Sequence, residues 1–314
     1  MEMNEEDTQE TPLSRRVRGT AWIVLGVAVV FLLGLGSGYL KWGQDETAEL
    51  KQQKELARLY EQVNPKDGYS LSVSYGDLGP PLLADGVIGF DAFAAIYENS
   101  GRPLSAAQVE ILKQGSAEQI KITPENSHFL LNFFWAVGLA NKNPILTEGR
   151  MVQYSNGEVG RFASTGGWTL ATKPVSELYA SMDLIPLTAE QQKLVEEVAA
   201  GIYRPCCDNH TLFPDCNHGM AMLGLLELMA SQGASAEAMF EAAKYVNAFW
   251  FPQQTLETAI YLQLSQGVDF ANADPRLVVS DKFSSASGAG RVHEELQARG
   301  VLEQAPEQGG SCAN

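Results

Sequence analysis

The densest chemistry in this sequence lies between Cys206 and Met222. Three of the four cysteines and two of the four histidines fall in the 13 positions from Cys206 to His218, namely Cys206, Cys207, His210, Cys216 and His218. Thiolate and imidazole together suit zinc or copper, and a nearby methionine thioether tilts the choice towards copper(I), which prefers soft sulfur. Cys206, Cys207, Cys216 and His218 are the expected ligands, with His210, Met220 and Cys312 as auxiliaries. The spacing Cys-Cys-x2-His-x5-Cys-x-His is dense but follows no standard zinc-finger pattern.

Asp215 reads as a helix N-cap. That makes Cys216 the first helical residue, where unpaired backbone N–H groups and the macrodipole favour a thiolate. Met220 then shares a face with Cys216, and Met222 lies below His218. Three uses compete for these sulfurs: a metal site, structural disulfides, and thiol–disulfide exchange. Adjacent cysteines are poorly shaped to bond each other, so the disulfide scheme joins one of Cys206 and Cys207 to Cys216 and the other to Cys312.

Elsewhere the signals are weaker. His128, Asn132 and Trp135 form one polar stripe on an apolar helix and read as a buried histidine hydrogen-bonded to its neighbours. Ser164-Thr165-Gly166-Gly167 offers backbone N–H groups to an anion, but it is also ordinary turn chemistry. His293, in Arg291-Val292-His293-Glu294-Glu295, lacks the second histidine of a zinc protease and reads as a solvated helix face. There is no Gly-x-Ser-x-Gly, Gly-x4-Gly-Lys, His-Glu-x-x-His or Cys-x-x-Cys-His, so neither a nucleotide nor haem c is expected. A binding protein fits better than an enzyme.

The elements that must position these residues follow from charge and periodicity. A net charge of −16, from 38 acidic against 22 basic residues, argues against nucleic acid as a partner. From Gly19 to Leu40, 22 residues carry no charged side chain, enough to cross a hydrocarbon core of about 30 Å. Arg15, Arg16 and Arg18 precede this span and Asp45, Glu46 and Glu49 follow it, so the N-terminus is expected in the cytoplasm and the body outside. A cleaved signal peptide is the competing reading. Gly34 and Gly38 would let two spans pack as a homodimer. The expected location is the cell membrane, single-pass, with subunits of a membrane complex as further partners.

The expected divisions are a disordered tail (1–18), the membrane helix (19–40), a stalk helix (41–66) stopped by Asn64-Pro65, a helical body (67–304), and a flexible tail (305–314) holding Cys312. The body reads as loop from Tyr69 to Pro81. Helices follow at Phe90 to Tyr97 and at Ser105 to Gln114, where Ser105 and Gln108 make a capping box. Another opens at Thr123-Pro124-Glu125, runs apolar all round to Leu139, and should be the central buried helix. Asn156-Gly157 predicts a β-hairpin over about 149–172. Helices resume at Ala189 to Ile202, Cys216 to Ser231, Ala236 to Trp250, Gln253 to Ser265 and Ser287 to Arg299. The fold class expected is mainly α with a small β-hairpin, as an N-terminal transmembrane helix plus an extracytoplasmic helical domain.

Overall fold

A computed structural model describes residues 50–302, Gln52 excepted. The chain divides into two compact units, Met1–Arg58 and Leu59–Asn314. In the first, the described residues 50, 51 and 53–58 are helical, and Arg58 pairs with Glu55 at 2.6 Å. Among the described residues no helix is long and apolar enough to cross a membrane; the span Gly19 to Leu40 lies outside them. The tails 1–18 and 305–314 also lie outside the described residues.

The second unit is mainly helical with one two-stranded antiparallel sheet. The sheet pairs β1 (Tyr69–Gly76) with β2 (Ser116–Ile122), Tyr69 opposite Ile122 and Gly76 opposite Ser116. Leu71, Val73 and Tyr75 point inward while the serines between them face out, the two-residue period of a half-buried strand. The expectation of loop from Tyr69 to Pro81 is thereby corrected at its start, and at its end by the short helix Gly79–Ala84, which opens on its prolines.

The hairpin expected over 149–172 is also corrected. That segment holds the helix Arg150–Ser155, a 3₁₀ turn Val159–Arg161 and the short helix Ala163–Gly166. Asn156 and Gly157 do adopt positive φ, 53° and 86°, but they use it to end a helix rather than to reverse a strand.

The longer helices are α1 (Phe90–Asn99), α2 (Ala106–Gln114), α3 (Ser127–Ala140), α4 (Ala189–Gly201), α5 (Asn217–Ser231), α6 (Ala236–Trp250), α7 (Pro252–Gln266) and α8 (Ala286–Ala298). The capping box of α2 forms as its sequence requires: Ser105 Oγ accepts from the Gln108 amide while the Gln108 side chain accepts from the Ser105 amide. Thr123 does not open α3. It exchanges hydrogen bonds with Asn126 across a preceding turn, and the helix proper starts at Ser127.

Helix α3 is buried from Phe129 to Ala140, the central helix anticipated for its apolar circumference. It packs along α5, and the two backbones meet at facing glycines. A Cβ on Gly138 would lie 2.2 Å from the Met220 carbonyl, and one on Gly224 would lie 2.6 Å from the Phe134 carbonyl. Glycine at these two positions sets the close approach of the helices, which fixes where the first turn of α5 sits. A second core gathers Leu59, Val63, Tyr245, Ile260, Phe270, Val292 and Leu296 between α6, α7 and α8.

Candidate metal centre

The loop between α4 and α5 is held at both ends. Tyr203 and His210 form an isolated antiparallel bridge, and the Thr211 amide bonds the Ile202 carbonyl at 2.8 Å. Its outer turn docks on the start of α8. Asp208 accepts from the Ser287 amide and hydroxyl, both at 2.8 Å, and the Ala286 amide bonds the Cys207 carbonyl at 3.0 Å. A loop this anchored presents its sulfurs in one arrangement.

At its centre stands Arg204, 1% exposed. Its guanidinium donates through Nε to Cys216 Sγ at 3.0 Å, and its Nη atoms donate to the Asn209 and Phe213 carbonyls and to Asp215 Oδ1 at 2.7 Å. Asp215 also accepts from Asn209 Nδ2 at 2.8 Å. Gly219 leaves room for this: a Cβ there would lie 2.5 Å from Arg204 Cζ. Arg204 was not nominated by composition, and neither was Asp215 as a ligand. The signal for Arg204 was its isolation, as the only Lys or Arg between Lys193 and Lys244, two positions before a pair of cysteines.

Cys216 is not the first helical residue but the N-cap itself, its sulfur accepting from the Gly219 amide at 3.4 Å. Asp215 cannot cap because its carboxylate is committed to Arg204 and Asn209. The consequence for the sulfur is nonetheless the one expected from a helix start. Hydrogen bonds from Cys206 and Cys207, reinforced by the Arg204 charge, outweigh burial and hold Cys216 well below the ordinary thiol range. The neighbours shift the other way: hydrogen bonds to Cys207 and Cys216 and burial push Cys206 far up, while for Cys207 the lowering by its hydrogen bond with Cys206 is outweighed by the hydrogen bond to Cys216 and by burial, which take it up to about 11.

The nominated residues Cys206, Cys207, Cys216 and His218 fall into two groups that share Cys216, with Cys207 and His218 in different ones. Cys206, Cys216 and His218 have donor atoms within 4.8 Å of one another, and so do Cys207, Asp215 and Cys216. Either group can hold a metal ion. Cys206 Sγ lies 3.5 Å from Cys216 Sγ, and all three cysteines are free thiols. The His218 ring rests against Phe251 and Trp250, centroids 4.4 and 5.7 Å away, and its Nδ1 is buried with no hydrogen-bond partner.

No known protein family, curated protein or solved structure matches the chain. The site must be read from its own geometry.

The auxiliaries fare differently. Met220 is wholly buried in the main core, where its carbonyl abuts Gly138. His210 lies outside both ligand groups, its ring edge-on to Tyr203 at 5.8 Å. Cys312 lies outside the described residues.

Of the other candidates, the polar stripe of α3 is structural. Asn132 Nδ2 donates to the Tyr97 hydroxyl at 2.9 Å and approaches His128 Nε2 at 3.4 Å, while Trp135 Nε1 donates to the Ser164 carbonyl at 2.6 Å. His128 itself is exposed rather than buried, because it occupies the first turn of the helix. Ser164 to Gly167 present no free amides to an anion; their N–H groups bond the carbonyls of Asp215, Phe162 and Ala163. His293 is partly sheltered and pairs through Nδ1 with Glu257 at 3.0 Å, which corrects its reading as a solvated side chain.

Proposed function

We propose that the loop 203–222 binds a zinc ion through Cys206, Cys207, Cys216 and His218, on a body tethered outside the cytoplasm by the span Gly19 to Leu40. The observation that carries this reading is the sharing of Cys216 between two convergent ligand groups, with His218 supplying an unpartnered buried nitrogen. Three thiolates and an imidazole form a closed tetrahedral set of the kind that holds structural or stored zinc. Charge favours the divalent ion over copper(I). Three thiolates around a dication leave one net negative charge, which Arg204 faces at 3.0 Å from Cys216; a monocation would leave two. With Met220 in the core, the thioether that pointed to copper is withdrawn. Storage, transfer or sensing of the metal at the membrane is the role that fits a binding loop without a catalytic motif.

A second reading rests on the 3.5 Å separation of Cys206 and Cys216 sulfurs, close enough for a structural cystine that braces an adaptor subunit. One measurement separates the two. Full-length protein purified anaerobically is assayed for bound metal and for free thiols before and after reduction. The metal reading expects one zinc per chain, lost in Cys216→Ser and weakened in Cys207→Ser. Absence of bound metal, with two free thiols before reduction and four after it, would establish the cystine instead.

A further inference from the structure

We infer that the Cys206–Cys216 pair is a redox release for the proposed metal: oxidation by a hydroperoxide closes a disulfide between these two sulfurs and abolishes both ligand groups at once. The inference rests on the metal-binding reading and adds its regulation. Its basis is an asymmetry in the cluster. Cys216 is the one residue common to both groups, so its loss leaves Cys207 with Asp215 on one side and His218 alone on the other. Cys206 is the sulfur placed to take it, at 3.5 Å, and a bond length of about 2.0 Å requires an approach of roughly 1.5 Å. Cys206 and Cys207, being adjacent, are poorly shaped to consume each other.

The direction of attack follows from the donors around Cys216. Arg204 Nε and the Gly219 amide both point at its sulfur, stabilising it as the anion that attacks. Cys216 thiolate attacks one oxygen of hydrogen peroxide; an S–O bond forms, the O–O bond breaks, and hydroxide departs. Cys206, which as a metal ligand would already be a thiolate, then attacks the Cys216 sulfur; an S–S bond forms, the S–O bond breaks, and a second hydroxide departs. Two solvent protons convert both hydroxides to water. The two sulfurs together lose two electrons, and the two peroxide oxygens gain them. Arg204 keeps its bonds to Asp215, Asn209 and Phe213 throughout, so the loop stays folded and a thiol reductant restores the site.

The test uses full-length, zinc-loaded, reduced protein treated with hydrogen peroxide. Disulfides are mapped by mass spectrometry of unreduced peptides, and released zinc is read with a chromogenic chelator. The expected result is a Cys206–Cys216 disulfide formed in step with one equivalent of zinc, both reversed by dithiothreitol. In Cys206→Ser, Cys216 should stop at a sulfenic acid trapped by dimedone. Zinc that binds but stays bound under peroxide, or a dominant Cys206–Cys207 disulfide, overturns the release and leaves the metal site standing. A Cys206–Cys216 disulfide in protein that takes up no zinc when reduced overturns the metal reading and the release with it.

Discussion

Glu227 lies on α5, the helix that carries Cys216 at its start, and it is completely buried. Asn141 Oδ1 accepts from the Ile185 amide, which fixes that side chain so that Nδ2 donates to Glu227 Oε2 at 3.0 Å; Oε1 has no partner. Burial pushes this carboxyl from 4.5 to about 8, because the loss of hydration outweighs the lowering by Asn141 and Asn143. The sign of the effect on stability follows. Because the folded-state value is raised, the contribution is fully present below pH 4.5 and is lost as pH climbs through about 8. A gap of roughly 3.5 pH units at about 1.4 kcal/mol each makes about 5 kcal/mol in total, a large share of ordinary domain stability. Glu227→Gln keeps an oxygen for Asn141 and removes the titration. Urea unfolding of wild type and variant between pH 5 and 8 should therefore diverge by about 3.5 kcal/mol, the variant being the more stable at the alkaline end. Every other titrating group is common to both proteins and cancels in the difference. Parallel curves within about 0.5 kcal/mol would refute a neutral, buried Glu227.

Two further perturbations probe the scaffold. Gly219→Ala places a methyl group 2.5 Å from the Arg204 guanidinium, and the surroundings are backbone-bonded, so urea unfolding should show a loss of about 1–3 kcal/mol. Displacing Arg204 also raises the Cys216 pKa, so alkylation by iodoacetamide near pH 6 should slow by about tenfold, unless the guanidinium plays no part in holding the thiolate. Gly138→Ala drives a Cβ into the Met220 carbonyl at the crossing of α3 and α5; thermal unfolding should report a loss of about 3 kcal/mol, and a neutral result would mean the helices are free to separate there.

How far the sequence speaks for the structure depends on the range of the interaction that decides each element. The capping box of Ser105 and Gln108 is settled within one turn and was readable, as was the burial of α3 from its unbroken apolar surface. The sheet was not. Leu71-Ser72-Val73-Ser74-Tyr75 alternates, but its partner Ser116–Ile122 is polar and lies beyond three intervening helices, so no local pattern announces the pairing. Asn156-Gly157 shows the opposite failure. The positive φ values were legible, but the same pair of dihedrals ends a helix or turns a hairpin, and the flanking Arg150–Ser155 decided for helix.

The site divides along the same line. Composition named Cys206, Cys207, Cys216 and His218, because thiols and imidazoles packed into a short loop have few places to go. It could not name Arg204, whose role depends on folding back across 12 residues to reach Cys216 through a gap left by Gly219. Nor could helical periodicity place Met220. It states correctly that Met220 follows Cys216 on one face, but it is silent on what that face meets. Here it meets Gly138 of α3, so the methionine belongs to the core and the thiols at the site, among the described residues, are those of Cys206, Cys207 and Cys216. That one packing fact moves the proposed cargo from a soft monovalent ion towards zinc, and it does so through a contact with Gly138, 82 positions before Met220 in sequence.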